Sequence, residues 1–114
     1  MEFLTSFLKE IKEALKLEIF PLSRDKKNLD KFIIYELSNE ELNLSIDNKI
    51  LHKDLELNLS LYTKTYKDLR ELKNALESFL LEFHKKPIEF LMDGESKDLE
   101  SGFFKSEIWL TYRL

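Results

Sequence analysis

Between Asp54 and Phe83 the alternation of apolar and polar positions changes period once. Leu55, Leu57, Leu59 and Leu61 alternate with Glu56, Asn58, Ser60 and Tyr62, which is the period of a strand with one face buried and the other wetter. After Thr63 and Lys64 the apolar residues Leu69, Leu72, Ala75, Leu76, Phe79, Leu80 and Phe83 recur at spacings of three and four. At about 100° per residue they fill one arc about 140° wide, so a helix follows the strand almost at once. Thr65 with Asp68 three residues later fits a capping pair, in which hydroxyl and carboxylate each satisfy a backbone N–H at the helix start. The rest of the chain is organised around this strand and helix.

Residues 2 to 18 place Phe3, Leu4, Phe7, Leu8, Ile11, Ala14 and Leu15 in one arc, with Lys9, Glu10, Lys12, Glu13 and Lys16 outside it. That is an amphipathic helix for docking on a sheet; a membrane-surface helix would be rich in Lys and Arg on its polar face instead of mixing both signs. In Ile19-Phe20-Pro21-Leu22 the proline ends the helix, because it lacks an N–H and drives Phe20 out of helical geometry. Ser23 to Lys31 reads as a charged loop and Phe32 to Leu37 as a strand. Leu42 to Ile46 alternates again, and Asp47-Asn48-Lys49 is a turn signal before Ile50 to Lys53, so a hairpin and a flexible flap both fit. Beyond the second helix, His84-Lys85-Lys86 complements the macrodipole and Pro87 stops the helix. Ile88 to Met92 is a short strand, and a polar loop runs from Asp93-Gly94 to Gly102. Phe104, Ile108, Leu110 and Tyr112 then line one face of a last strand, with Ser106 interrupting the series and Trp109 on the other face. The expected class is α+β: a mostly antiparallel four- to five-stranded sheet with both amphipathic helices packed on one face, in a single domain over residues 1–114.

Composition narrows the function. At 114 residues, with 43% hydrophobic and 35% charged residues, the chain is long enough for its own core, and no apolar run approaches the roughly 20 residues of a membrane span. The start, Met1-Glu2-Phe3-Leu4-Thr5, lacks the basic and apolar parts of a secretory signal, so a cytoplasmic chain is expected. The absence of cysteine removes disulfides, thiol catalysis and thiolate metal sites. A net charge of −4 with dispersed positive residues is the opposite of a nucleic-acid footprint, so no tight nucleic-acid binding is expected.

Catalytic patterns are scarce. Gly94 and Gly102 are the only glycines and share one loop, so no glycine-rich phosphate cradle forms. His52 and His84 lack metal-ligand spacing and read as solvated residues. Glu40-Glu41 and Glu95, Asp98 and Glu100 are what an acidic chain produces by chance, and none of Ser60, Ser78, Ser101 or Ser106 sits in a nucleophile elbow. Lys64, Lys67, Arg70 and Lys73 with Tyr62 and Tyr66 form a basic stretch, but Asp68, Glu71 and Glu77 offset it, with Asp68–Lys64 and Glu71–Lys67 pairs one helical turn apart. No enzyme, cofactor or metal is expected.

Several strings, taken in order, resemble the tail-completion or tail-terminator proteins of tailed bacteriophages and prophages. They are the N-terminal amphipathic helix, the connector Ile19-Phe20-Pro21-Leu22, the strand Phe32-Ile33-Ile34-Tyr35-Glu36-Leu37, and Leu57-Asn58-Leu59-Ser60-Leu61-Tyr62-Thr63-Lys64-Thr65-Tyr66-Lys67-Asp68-Leu69. The closing Gly102-Phe103-Phe104-Lys105-Ser106-Glu107-Ile108-Trp109-Leu110-Thr111-Tyr112 completes the series. The segment from Ser38 to Asp54 departs most. The resemblance implies a non-catalytic structural protein that forms a homo-oligomeric ring, typically a hexamer, on the end of the tail tube and docks to the head connector. Its partners are itself, the tail-tube protein and the head-tail connector protein; it is made in the host bacterial cytoplasm and ends in the virion tail. Such a ring needs faces that mate heterologously and close, and an acidic lumen would let DNA pass without sticking. Apolar residues in connectors are the expected contacts: Phe20 and Leu22, and Leu44, Ile46, Ile50 and Leu51 of the flap. Two other readings stand beside it. One is a small acidic immunity or antitoxin-like module that covers a basic protein partner. The other is a small paired-acid hydrolase, which requires a deep pocket of converging carboxylates.

Overall fold

The leucine-striped strand is the middle of the sheet. A computed structural model describes residues 2–21, 29–44, 50–98 and 101–113. The elements are α1 (Glu2–Leu15), β1 (Glu18–Pro21), β2 (Lys31–Leu44), β3 (Ile50–Thr63), α2 (Tyr66–Glu82), β4 (Glu89–Met92), β5 (Ser96–Lys97) and β6 (Phe104–Arg113). They form one sheet in the order β1-β2-β3-β6-β4, with β5 also paired to β6. Every pairing is antiparallel except β1 with β2. The α+β class with both helices packed against the sheet is therefore the observed one, with more strands than expected because β1 and β5 are too short to announce themselves.

The helix-covered face holds the main core. Leu55, Leu57, Leu59 and Leu61 are each 0% exposed, and Leu57, Leu59 and Leu61 share one core with Phe7 and Ile11 of α1, Leu69, Leu72, Leu76 and Leu80 of α2, and Ile108, Leu110 and Tyr112 of β6. Burying one such leucine is worth roughly 1.5–3 kcal/mol, so this stripe fixes the register of the central strand. At one end the Phe3 and Phe7 rings close on Tyr112, with centroids 4.9 and 5.3 Å from it, and Phe83 packs on both of them. Ser106, 2% exposed where the apolar series breaks, donates its hydroxyl to the Asp93 carbonyl at 3.1 Å.

Local chemistry sets the boundaries. The Thr65 hydroxyl accepts the Asp68 N–H at 3.1 Å, capping α2. At the other end Lys86 donates to the Leu81 carbonyl and, at 2.7 Å, to the Phe83 carbonyl, so the basic residues after the helix satisfy its last acceptors. Lys64 pairs with Asp30 at 3.1 Å, in place of the expected Asp68; the chain before β2 lies closer to it than the first turn of α2 does. Helix α1 stops at Leu15, the last residue of the apolar arc and short of the stretch to residue 18 read as helical, because Lys16 turns to a left-handed φ of 53°. The expected connector then becomes strand β1, with Glu18 to Pro21 in register with Phe32 to Tyr35. Proline is tolerated there because β1 is an edge strand. Gly102, at φ 78°, makes the turn into β6, its N–H donating to the Asp98 carbonyl at 2.8 Å.

The stretch left open between hairpin and flap is a hairpin as far as it is described. β2 and β3 pair from Lys31↔Thr63 to Leu44↔Ile50, with one irregularity between Leu37 and Asn39 and another near Leu44. β6 accompanies β3 only as far as Asp54↔Arg113. Past that row the ribbon has two strands among the described residues, in a molecule measuring 52 × 29 × 24 Å.

Candidate assembly surface

Strand alternation places the polar positions of β3 on the face that no helix covers. Tyr62, Ser60, Asn58 and Glu56 there lie in register with Phe32, Ile34, Glu36 and Asn39 of β2 and with Lys105, Glu107, Trp109 and Thr111 of β6. This face is drier than simple alternation implied. Asn58 and Ser60 are only 8% and 7% exposed. They satisfy each other in part: Ser60 donates to the Asn58 carbonyl oxygen at 3.3 Å, and the Asn58 amide donates to the Ile108 carbonyl at 3.4 Å.

The face divides into an aromatic end and an acidic end. At the first, Phe20, Phe32 and Ile34 form a second small core with Leu29, Tyr62 and Phe103 packed on it; Phe32 stacks on Tyr62 with centroids 5.0 Å apart. Lys105 closes this end, its ammonium 5.6 Å from the Tyr62 ring centre and 3.2 Å from Glu107. Burial works to lower the Lys105 pKa, but the bond to Glu107 and the interaction with Tyr62 together raise it.

At the acidic end, Glu56, Glu89, Leu91, Trp109 and Thr111 line a hollow of about 190 Å³. The register Glu56↔Thr111↔Glu89 brings the two carboxylates into one row across three strands. Leu91 is 55% and Trp109 38% exposed. Beside it Arg113 reaches Asp54 at 3.3 Å. A larger groove of about 670 Å³ lies where α1 ends and β1 and β2 begin, lined by Lys9, Lys12, Lys16 and Lys31 with Glu13, Glu18 and Asp30; Lys12 and Glu18 are 3.1 Å apart.

The expected contact residues are placed unevenly. Phe20 is 9% exposed, held inside the second core. Leu44, Ile50 and Leu51 belong to the strands of the two-stranded ribbon, while Leu22 and Ile46 lie outside the described residues. Leu91, Glu89 and Glu56 were not singled out from sequence, and only Trp109, an indole on the polar side of a strand, carried a signal. Of the residues weighed for chemistry, His84 is exposed and packs its ring 4.3 Å from that of Phe83. Glu95 is bound to Lys73 at 3.2 Å, with Arg70 3.9 Å away. Its carboxyl is held below the ordinary range first by a backbone N–H and then by Lys73. Lys73 also donates to the Asp93 carbonyl at 3.2 Å, so this cluster ties the β4–β5 connection to α2. Among the described residues no group of three or more His, Cys, Asp and Glu is arranged to hold a metal ion, and no helix is long and apolar enough to cross a membrane.

No family model and no curated protein matches the chain.

Proposed function

We propose that the chain is a non-catalytic structural subunit of a phage or prophage tail, a tail-completion protein. Copies of it close into a ring, six-fold in the typical form, that caps the tail tube and docks to the head connector in the host bacterial cytoplasm and remains in the virion tail. The observation that carries this reading is the ribbon of β2 and β3 running past Asp54↔Arg113, the last row among the described residues in which β6 pairs with β3. A two-stranded ribbon alone is marginal in water, and it gains stability when a neighbouring subunit completes it. The order of elements supports the same reading, since a strand feeding directly into a capped helix and a closing strand after a glycine turn are the features of the resemblance. The acidic balance suits a conduit through which DNA passes without being held.

Size-exclusion chromatography with light scattering, followed by addition of the protein to polymerising tail-tube subunits of the same genome, tests the proposal. A closed oligomer that arrests tube growth is the expected result. A strict monomer that leaves tube growth untouched would overturn it, and a monomer that instead binds one basic protein at equal stoichiometry would establish the acidic-module reading.

A further inference from the structure

We infer that the extra residue between β4 and β5 is a guard on the outer edge of the sheet, a bulge that keeps a strand of another chain from being added there. Such a guard serves a lone copy and a ring alike, because it acts on the backbone edge and leaves the side chains of the face free to make contacts.

β4 and β5 are two halves of one edge. Met92 pairs with Ile108 and Ser96 with Lys105, so Asp93, Gly94 and Glu95 stand opposite only Glu107 and Ser106. Three residues against two make a β-bulge, which bends the bulged strand and increases its twist. The Asp93 N–H still reaches the Glu107 carbonyl at 2.9 Å. The Asp93 carbonyl, however, accepts from side chains, the Ser106 hydroxyl at 3.1 Å and the Lys73 ammonium at 3.2 Å. The extra residue also resets the alternation. Phe90 and Met92 share the helix side with Leu110 and Ile108, and past the bulge Lys97 shares it with Phe104, its ammonium 5.5 Å from that ring centre. Glu95 therefore turns towards α2, where Lys73 holds it at 3.2 Å. A Cβ at Gly94 would meet nothing within 4 Å, so the residue count, and not glycine itself, makes the bulge.

This edge has reason to be guarded. β4 is an outer strand, and Ile88, Phe90 and Leu91 on or beside it are 52%, 36% and 55% exposed. Because the Asp93 N–H points at β6, strand alternation sends the N–H groups of Met92 and Phe90 outward. An apolar edge with outward donors is a template for pairing with another chain, and short edge strands and bulges are what blunt it. With the bulge, the straight edge ends at Met92 after four residues; without it, the run would continue through β5 to Lys97.

Deleting Gly94 tests this, because it removes the extra residue while leaving Glu95 on the helix side and β5 in register. The folded, shortened chain is expected to form species larger than the wild-type one, at a concentration about tenfold or more below that at which wild type does so. Hydrogen exchange at the Phe90 and Met92 amides should slow in those species. Lys73→Met frees the Asp93 carbonyl from α2 without changing the chain length. It should shift association less but in the same direction, and it decides alone if circular dichroism shows the shortened chain unfolded. Adding Leu91→Lys, which places a charge on the edge, should return either variant to the wild-type size. If both variants keep the wild-type size, or if larger species form while Phe90 and Met92 exchange as in wild type, the bulge does not guard this edge. Size is read against wild type, so a monomeric wild-type protein would count against the ring reading and leave this test standing.

Discussion

Replacing Tyr112 by phenylalanine should stabilise the protein. The side chain is 0% exposed, and its hydroxyl is buried without a hydrogen-bond partner among the described residues. Its ring is held by Phe3 and Phe7, contacts that phenylalanine keeps. An unpaired buried polar group costs about 1–3 kcal/mol, so removing it should raise stability by an amount at the lower end of that range, after allowance for the small space the oxygen leaves. The midpoint of urea unfolding should rise with an unchanged slope, and the melting temperature by several degrees. Alkaline titration gives an independent reading. Burial pushes the Tyr112 phenol from its ordinary value of 10 up to about 12. The raised value means that the favourable contribution is complete below pH 10 and is lost as pH climbs towards 12, where the unfolded chain ionises and the folded one resists. Two units correspond to roughly 2.7 kcal/mol. Of the four tyrosines, one should show its phenolate absorbance only as the protein unfolds, and in Tyr112→Phe that late component should vanish. A Tyr112→Phe protein less stable by about 1 kcal/mol or more would refute the reasoning, since the hydroxyl would then be contributing a bond.

Three further outcomes follow from the described contacts. Leu59→Ala, in the middle of the buried stripe, should cost about 2–5 kcal/mol in chemical unfolding, as a cavity at the junction of sheet and helices cannot collapse fully. Thr65→Ala removes the acceptor for the Asp68 N–H and should cost about 1 kcal/mol, with faster hydrogen exchange confined to the first turn of α2. The Glu95 carboxyl, held below the ordinary range, contributes stability above that range that is lost as pH falls through its folded value. Lys73→Met should move the Glu95 titration, followed by carbon-detected NMR, back towards ordinary values.

The sequence was most legible where one residue type had one physical job. Four leucines at period two could only form a strand with one face buried, and the change to a period of three and four after Thr63 could only form a helix on that face; both lie where they were expected. The misread parts are those where a tertiary partner decides. Ile19-Phe20-Pro21 looked like a connector because its proline marks the end of a helix, but β1 occupies a sheet edge, where one missing donor does no harm. The division between Leu37 and Leu42 looked like a break between strands. It is an irregularity inside one long strand, where Ser38 has no partner between Leu37↔Leu57 and Asn39↔Glu56. One extra residue shifts the alternation of β2 and hides its continuity from any reading by period. The acidic hollow was invisible for a similar reason: Glu56, Glu89 and Trp109 are scattered along the chain, and only the pairing of β3, β6 and β4 gathers them.

The division of labour between the two sheet faces makes assembly compatible with this fold. Both helices and the whole leucine stripe are spent on one face, so the core does not depend on what the other face carries. Among the described residues the second face has a small aromatic core at one end, which stiffens the sheet, while Trp109 and Leu91 at the other are exposed. A surface held flat by the core behind it but not needed for that core can carry exposed apolar side chains beside paired acids at little cost to the monomer. Those are the conditions a repeating contact requires, because the geometry of each copy must be rigid for the same rotation to recur around a ring, while the contacting residues must stay exposed. The two-stranded ribbon adds reach without compromising either condition, since it extends β2 and β3 past the last described row that β6 shares with β3.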